Sequence, residues 1–151
     1  WISQNGSDSL YAFKISSRGY AADIKYLVSL DSKGTIYGMT VLEQSETPGL
    51  GSRVQEVLSK NYIWNGLFGK GEAGLSWFTE QYKGINIFKQ IGINKSVGEW
   101  HKLADSDRQK LISENSITAI TGSTISTRAV TRGLESKARD YLNALRGTTH
   151  D

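Results

Sequence analysis

Five hydroxyl side chains and one glycine fall within the seven residues Thr121-Gly122-Ser123-Thr124-Ile125-Ser126-Thr127. Hydroxyls so crowded could hold a phosphate, either by hydrogen bonds or by accepting it as an ester. The residues that follow keep a three-and-four rhythm of apolar or small types: Ile125, Ala129, Val130, Gly133, Leu134, Ala138, Tyr141, Leu142 and Leu145. That spacing predicts one helix, starting near Thr124 and fraying near Arg146-Gly147. The first turn of a helix exposes unpaired N–H groups and a partial positive charge. An acidic residue usually answers that charge, yet none occurs from Asn115 to Leu134, and Arg128 and Arg132 add positive charge in the early turns. An external anion would reverse the sign, with Gly122 allowing close backbone approach. The plainer reading is that Ser123 or Thr124 merely caps a surface helix. No Gly-Lys-Ser/Thr follows, so the run is not a Walker loop.

A second cluster of interest is Ser45-Glu46-Thr47-Pro48-Gly49-Leu50-Gly51, which contains the only proline of the chain. Read locally, Thr-Pro-Gly-Leu-Gly is good turn chemistry without any ligand. The elements around these two stretches are legible in outline. Leu10 to Ile15 alternates as a strand. Ile24 to Leu30 is a second, with Ile24, Tyr26 and Val28 on one face. Asp31-Ser32-Lys33-Gly34 is a hairpin turn, and Thr35 to Glu43 the third strand. Ser52 to Ser59 reads as a helix capped by Ser52. Gly66 to Gly74 reads as a flexible loop, and Leu75 to Tyr82 as a short helix carrying Trp77 and Phe78, broken by Lys83-Gly84. Ile85 to Lys89 and Ile91 to Ile93 read as short strands. Asp105 to Glu114 reads as a helix capped by Asp105 or Ser106, with Leu111 and Ile112 inward. The fold class expected is α+β: a twisted, mainly antiparallel sheet with packed helices and a long C-terminal helix.

Composition removes several function classes. The 151 residues are 38% hydrophobic, enough for one domain with a sizeable core over 1–151. A net charge of +3 without a basic run argues against nucleic acid as partner. The absence of cysteine excludes thiolate iron–sulfur clusters, covalent c-type haem and disulfides. His101 and His150 are far apart, no metal-ligand spacing is visible, and His101 reads as a surface or partly buried residue. No catalytic triad, acid–base carboxylate pair or dinucleotide fingerprint stands out, so no catalytic residue is assigned. No apolar run reaches the roughly twenty residues that span a bilayer.

Two stretches carry a family resemblance. Thr121-Gly122-Ser123-Thr124 resembles the Ser/Thr-Gly-Ala-Thr flavinylation motif of the FMN-binding domain family, and Glu46-Thr47-Pro48-Gly49-Leu50-Gly51 resembles a loop of its Rnf-complex G subunits. The C subunits of sodium-pumping NADH:quinone oxidoreductases are similar, less closely. The order of elements also matches, over roughly Tyr11 to Leu145.

The resemblance implies FMN bound covalently through a phosphoester on Thr124, made by a flavin transferase. Thr121, Gly122, Ser123 and Ser126 would surround the attachment point. Glu46, Thr47, Gly49, Leu50 and Gly51 would approach the flavin, with Leu50 over the ring face and Glu46 or Thr47 at its polar edge. Trp77 is either a core residue or a stacking partner. The role implied is an electron carrier among other subunits of a membrane redox complex. A flavin-free interaction module and an independent extracytoplasmic flavoprotein are the alternatives. The start at Trp1 fits a fragment whose N-terminal anchor was removed, placed outside the cytoplasm. Two positions depart from the family pattern: Ser123 stands for the usual alanine, and Thr118 for an aspartate that the transferase reads.

Overall fold

A computed structural model describes residues 2–5, 8–56 and 76–148. Four strands form an antiparallel sheet in the order β1-β2-β3-β4, with β1 at Ile2–Asn5, β2 at Asp8–Arg18, β3 at Asp23–Asp31 and β4 at Ile36–Glu43. Period-two alternation makes β3 the spine of this sheet. Ile24, Tyr26, Val28 and Leu30 point inward and are fully buried, as successive side chains of a strand must take opposite faces. Asp31 closes the hairpin into β4: its Oδ1 accepts from the backbone N–H of Lys33 and of Thr35, and Gly34 takes the positive φ of 81°.

The loop after β4 leads into a 3-10 turn at Gly51–Gln55. The sequence predicts an α-helix capped by Ser52 at this point. Instead the turn begins one residue earlier, and the Ser52 hydroxyl accepts from the Gly49 N–H, bracing the loop and not the helix end. The remainder of that expected helix, and the Gly66–Gly74 loop, lie outside the described residues. Helix α1, Trp77–Glu80, is capped by Ser76, whose hydroxyl accepts from the Phe78 N–H. Ile85 to Lys89 is not a strand; its one sheet-like contact is a bridge between Thr35 and Asn86.

Strand β5, Gly92–Asn94, pairs in parallel with β6, Ser116–Thr118, and the 3-10 turn Trp100–Lys102 and helix α2, Asp105–Ser113, lie between them. Ala104, not Asp105 or Ser106, occupies the cap of α2. Leu111 is buried there, while Ile112 packs only partly against the core.

The C-terminal helix runs from Thr124 almost to the end, as α3 (Thr124–Gly133), a π-helical turn (Leu134–Ala138) and α4 (Arg139–Thr148). Its inward stripe differs from the apolar rhythm at two places. Ile125 and Tyr141 are half exposed, whereas Ser126, Thr127 and Thr131 are buried. Hydrogen bonds make those buried hydroxyls tolerable: Thr131 donates to the Thr127 carbonyl and pairs with the Tyr82 hydroxyl, and Thr127 accepts from the Ile120 N–H. Gly133 permits α3 to lie directly on β2 and β3, since a Cβ there would sit 2.0 Å from Ser17 Oγ and 2.3 Å from the Tyr26 hydroxyl. Val130, Leu134, Ala138 and Leu142 join the strand side chains in one continuous core.

Candidate functional site

Thr121–Thr127 and Glu46–Gly51, far apart in sequence, meet at one cavity of about 440 Å³. Glu46, Thr47, Leu50, Gly51, Gly122, Ser123 and Thr124 line it, together with Tyr20 and Ile125. Each stretch reaches the cavity for a local reason. Thr47-Pro48-Gly49-Leu50 forms a turn closed by the Leu50 N–H on the Thr47 carbonyl (3.1 Å), with Gly49 at φ 74°, the conformation that its third residue requires. Strand β6 delivers the other stretch. After it, Gly122 turns the chain at φ 77° and α3 starts at Thr124. A side chain on Gly122 would press on Leu50 at 3.1 Å, so the glycine lets the two stretches close on each other.

Glu46 is the centre of this assembly. It is buried, and four donors converge on its carboxylate. Ala21 N and Ala22 N reach Oε1, both at 2.9 Å, while Tyr20 N (3.2 Å) and Ser126 Oγ (2.6 Å) reach Oε2. Burial pushes this carboxyl up, but the Ser126 hydroxyl and the three backbone N–H groups more than offset it, and its pKa lies below the ordinary carboxylate value. Two glycines make room for it. A Cβ on Gly51 would lie 2.2 Å from Oε2, and one on Gly19 would lie 2.4 Å from Oε1.

The hydroxyls of the run divide by environment. Ser123 is buried and donates to Ser126; Ser126 donates onward to Glu46; Thr127 donates to the Ser123 carbonyl. Thr121 is exposed and lies outside the cavity lining, its N–H held by Glu99. Thr124 alone lines the cavity, stands half-buried and has a hydroxyl without a hydrogen bond among the described residues. Ser123 occupies the helix cap, yet its side chain makes no capping bond, so the plain capping role is not what it performs.

A second group of residues holds the run from behind. Glu99 is buried and grips Arg53 through two bonds, at 2.6 and 3.0 Å, while accepting from the Thr121 N–H at 3.0 Å. Lys102 adds a contact at 3.2 Å. The Arg53 guanidinium dominates, against the opposing effect of burial, and with Thr121 and Lys102 holds the Glu99 carboxyl down at about 2. Arg53 follows the Glu46 loop directly, so this pair ties the loop to the hydroxyl run a second time. Trp77 belongs to this group and not to the cavity. It is buried, donates from Nε1 to Glu56, and packs on His101. His101 is half-buried there, and burial lowers its pKa despite the nearby Glu99.

The apparent lack of acid around the helix start is thus a property of the sequence and not of the space. Glu46 and Glu99 arrive from elsewhere in the chain. Thr118 is wholly buried: its hydroxyl accepts from the Trp100 N–H at 3.0 Å and donates to Gln81 Oε1 at 3.1 Å. Sequence reasoning missed Tyr20, Ile125, Arg53 and Glu99. None of the four has sequence neighbours that single it out.

Size does not choose the site, because a larger cavity of about 570 Å³ lies between Tyr37, Met39, Lys83, Trp100 and Arg108. Neither of the two stretches contributes to it. The smaller cavity fits a phosphorylated planar cofactor: it offers a free hydroxyl, a glycine at the approach, apolar walls and a carboxylate already satisfied by protein donors. Among the described residues no group of His, Cys, Asp or Glu could hold a metal, and no helix is long and apolar enough to cross a membrane.

The chain is similar to several known proteins. Over 140 residues, 92% of this chain and 52% of the relative, the chain is 28% identical to the G subunit of the Na(+)-translocating ferredoxin:NAD(+) oxidoreductase complex of Acetobacterium woodii. It is 43% identical over 61 residues, 40% of this chain and 29% of the relative, to the G subunit of the ion-translocating oxidoreductase complex of Haemophilus influenzae. The chain therefore spans about half or less of the length of these relatives. In fold it resembles the C subunit of the Na(+)-translocating NADH-quinone reductase of Parabacteroides distasonis, with a TM-score of 0.55 and 21% identity over 89% of this chain and 55% of that one. The FMN-binding domain model matches residues 19–138, a span that contains every residue lining the cavity, and the chain belongs to the FMN-binding domain family.

Proposed function

We propose that this chain carries FMN through a phosphoester on Thr124 and serves as an electron-transfer subunit of an Rnf-type ion-translocating oxidoreductase. The observation that carries the attachment is the free hydroxyl of Thr124, the only one of the run that both faces the cavity and has no protein partner among the described residues. The subunit names of the relatives support the wider role. A flavin transferase would make the link from FAD. Thr124 Oγ1 would take the FMN phosphoryl group from FAD, with AMP as the leaving group and the hydroxyl proton released.

Bound FMN supplies one- and two-electron redox chemistry, so the protein has to hold, orient and shield. Thr124 fixes the phosphate end. Gly122 lets the backbone come close, and Leu50, Thr47 and Gly51 wall the space toward the ring. Glu46 acts through the framework. With both oxygens occupied by protein donors, it locks the loop onto α3 and the β2–β3 turn. The other subunits of a membrane redox complex are the partners in this reading. An extracytoplasmic position, a membrane tether and a single domain over 1–151 belong to the same proposal.

Intact mass spectrometry of protein co-expressed with a flavin transferase provides the test. One FMN adduct is expected on the wild type, none on Thr124→Ala, and a full adduct on Thr121→Ala. An adduct that survives in Thr124→Ala would move the attachment elsewhere, and a wild type without adduct would favour the flavin-free module.

A further inference from the structure

The cavity has a wall that neither motif supplies. Tyr20 sits on the Gly19–Ala22 turn between β2 and β3 and is 69% exposed, more than any other large apolar residue described. Leu50 at 44% and Ile125 at 52% stand on the same cavity, so three exposed large apolar residues surround one space. Exposed apolar side chains gathered in one place mark a binding surface, whereas scattered ones do not.

The turn beneath Tyr20 is rigid. Gly19 N donates to the Ala22 carbonyl at 2.8 Å, and the next three backbone N–H groups all donate to Glu46. The ring therefore cannot withdraw by collapse of its loop. The phenol itself makes no hydrogen bond or ring contact among the described residues. Its position relative to Thr124 is also fixed, because Ser126, two residues beyond Thr124 on α3, donates to the same carboxylate. One buried group thus sets the spacing between a free hydroxyl and an uncommitted aromatic ring.

We infer that Tyr20 is the stacking face for the flavin ring whose phosphate is held at Thr124, with Leu50 and Ile125 closing the rim. This rests on the reading of the site as an FMN carrier and adds a residue outside both motifs. An electron-rich phenol is well suited to an electron-poor planar heterocycle, through offset stacking and buried area. Stacked on the ring, Tyr20 quenches flavin emission and shields one face from water.

The test uses protein flavinylated by the transferase, in four versions: wild type, Tyr20→Leu, Tyr20→Trp and Tyr37→Leu. Tyr37 is a half-exposed tyrosine on the other cavity and serves as control. Adduct stoichiometry by mass is expected to be equal in all four. Flavin fluorescence per adduct should rise several-fold in Tyr20→Leu, stay quenched in Tyr20→Trp, and be unchanged in Tyr37→Leu. Equal fluorescence in Tyr20→Leu and wild type, at full adduct, overturns the inference while leaving the attachment intact. Should the wild type carry no adduct, the phosphoester reading fails, and titration with free FMN decides Tyr20. Weaker binding by Tyr20→Leu supports the stacking role. Equal binding, or none in either protein, overturns it.

Discussion

Thr118 and Thr124 are six residues apart and have opposite surroundings. Thr124 presents a hydroxyl without a hydrogen bond to a cavity, and Thr118 spends both functions of its hydroxyl inside the core, on Trp100 and Gln81. The Thr118 hydroxyl accepts the Trp100 N–H as a carboxylate would. Its buried place makes it a residue that holds β6 and the following run in position. Thr118→Val keeps the shape and leaves the Trp100 N–H without an acceptor, so a loss of about 1–3 kcal/mol is expected, read from chemical denaturation. No loss would show that water replaces the hydroxyl. Legibility at this scale was uneven. The hydroxyl run and the Glu46 loop could be picked out because their residue types are unusual together. Tyr20 could not, because a lone tyrosine in a turn has no distinctive neighbours in sequence.

At the scale of elements, β2, β3, β4 and the C-terminal helix were readable from their alternation and three-and-four spacing. β6 was not. It has three residues, too few for a period, and its parallel partner β5 lies beyond an intervening helix. The π turn was equally hidden, although its cause is visible. Val130, Leu134, Ala138 and Leu142 are spaced by four throughout, and a regular helix of 3.6 residues per turn drifts by about 40° at each such step. The wider turn at Leu134–Ala138 absorbs part of the drift and keeps all four against the sheet. The Ser52 expectation failed because tertiary contacts outranked a local capping signal. Gly51 is where those contacts are tightest. Gly51→Ala would drive a methyl group into Glu46 and Ser126, so a loss of about 1–3 kcal/mol is expected in thermal or chemical melts. A cavity disturbed in the same way should also lower the flavin adduct yield, and a variant as stable as wild type would show that the loop yields easily.

At the scale of the whole molecule, two carboxylates tie separate parts of the chain together, and both are held below their ordinary pKa. A folded-state carboxyl pKa that is depressed contributes stability above the unfolded value and loses it as pH falls. For Glu99 the window runs from about 4.5, the ordinary value, down to about 2. The wild-type melting temperature should therefore drop as pH is lowered through this range. Glu99→Gln should melt lower at neutral pH and show a flatter profile in acid. Parallel profiles for the two proteins would remove Glu99 as a source of acid sensitivity.

The Glu46 contacts span 24 to 26 residues toward the β2–β3 turn and 80 residues toward α3. In polymer terms the carboxylate is a non-covalent cross-link that closes one short loop and one very long loop. Closing a loop costs more entropy as it lengthens, and long-range contacts form only once the segments between them are organised. The cavity is accordingly a late product of folding. A nascent chain that has not yet delivered Ser126 has half a wall and a carboxylate short of one donor, so completion of the site marks the moment at which the chain has found its whole topology.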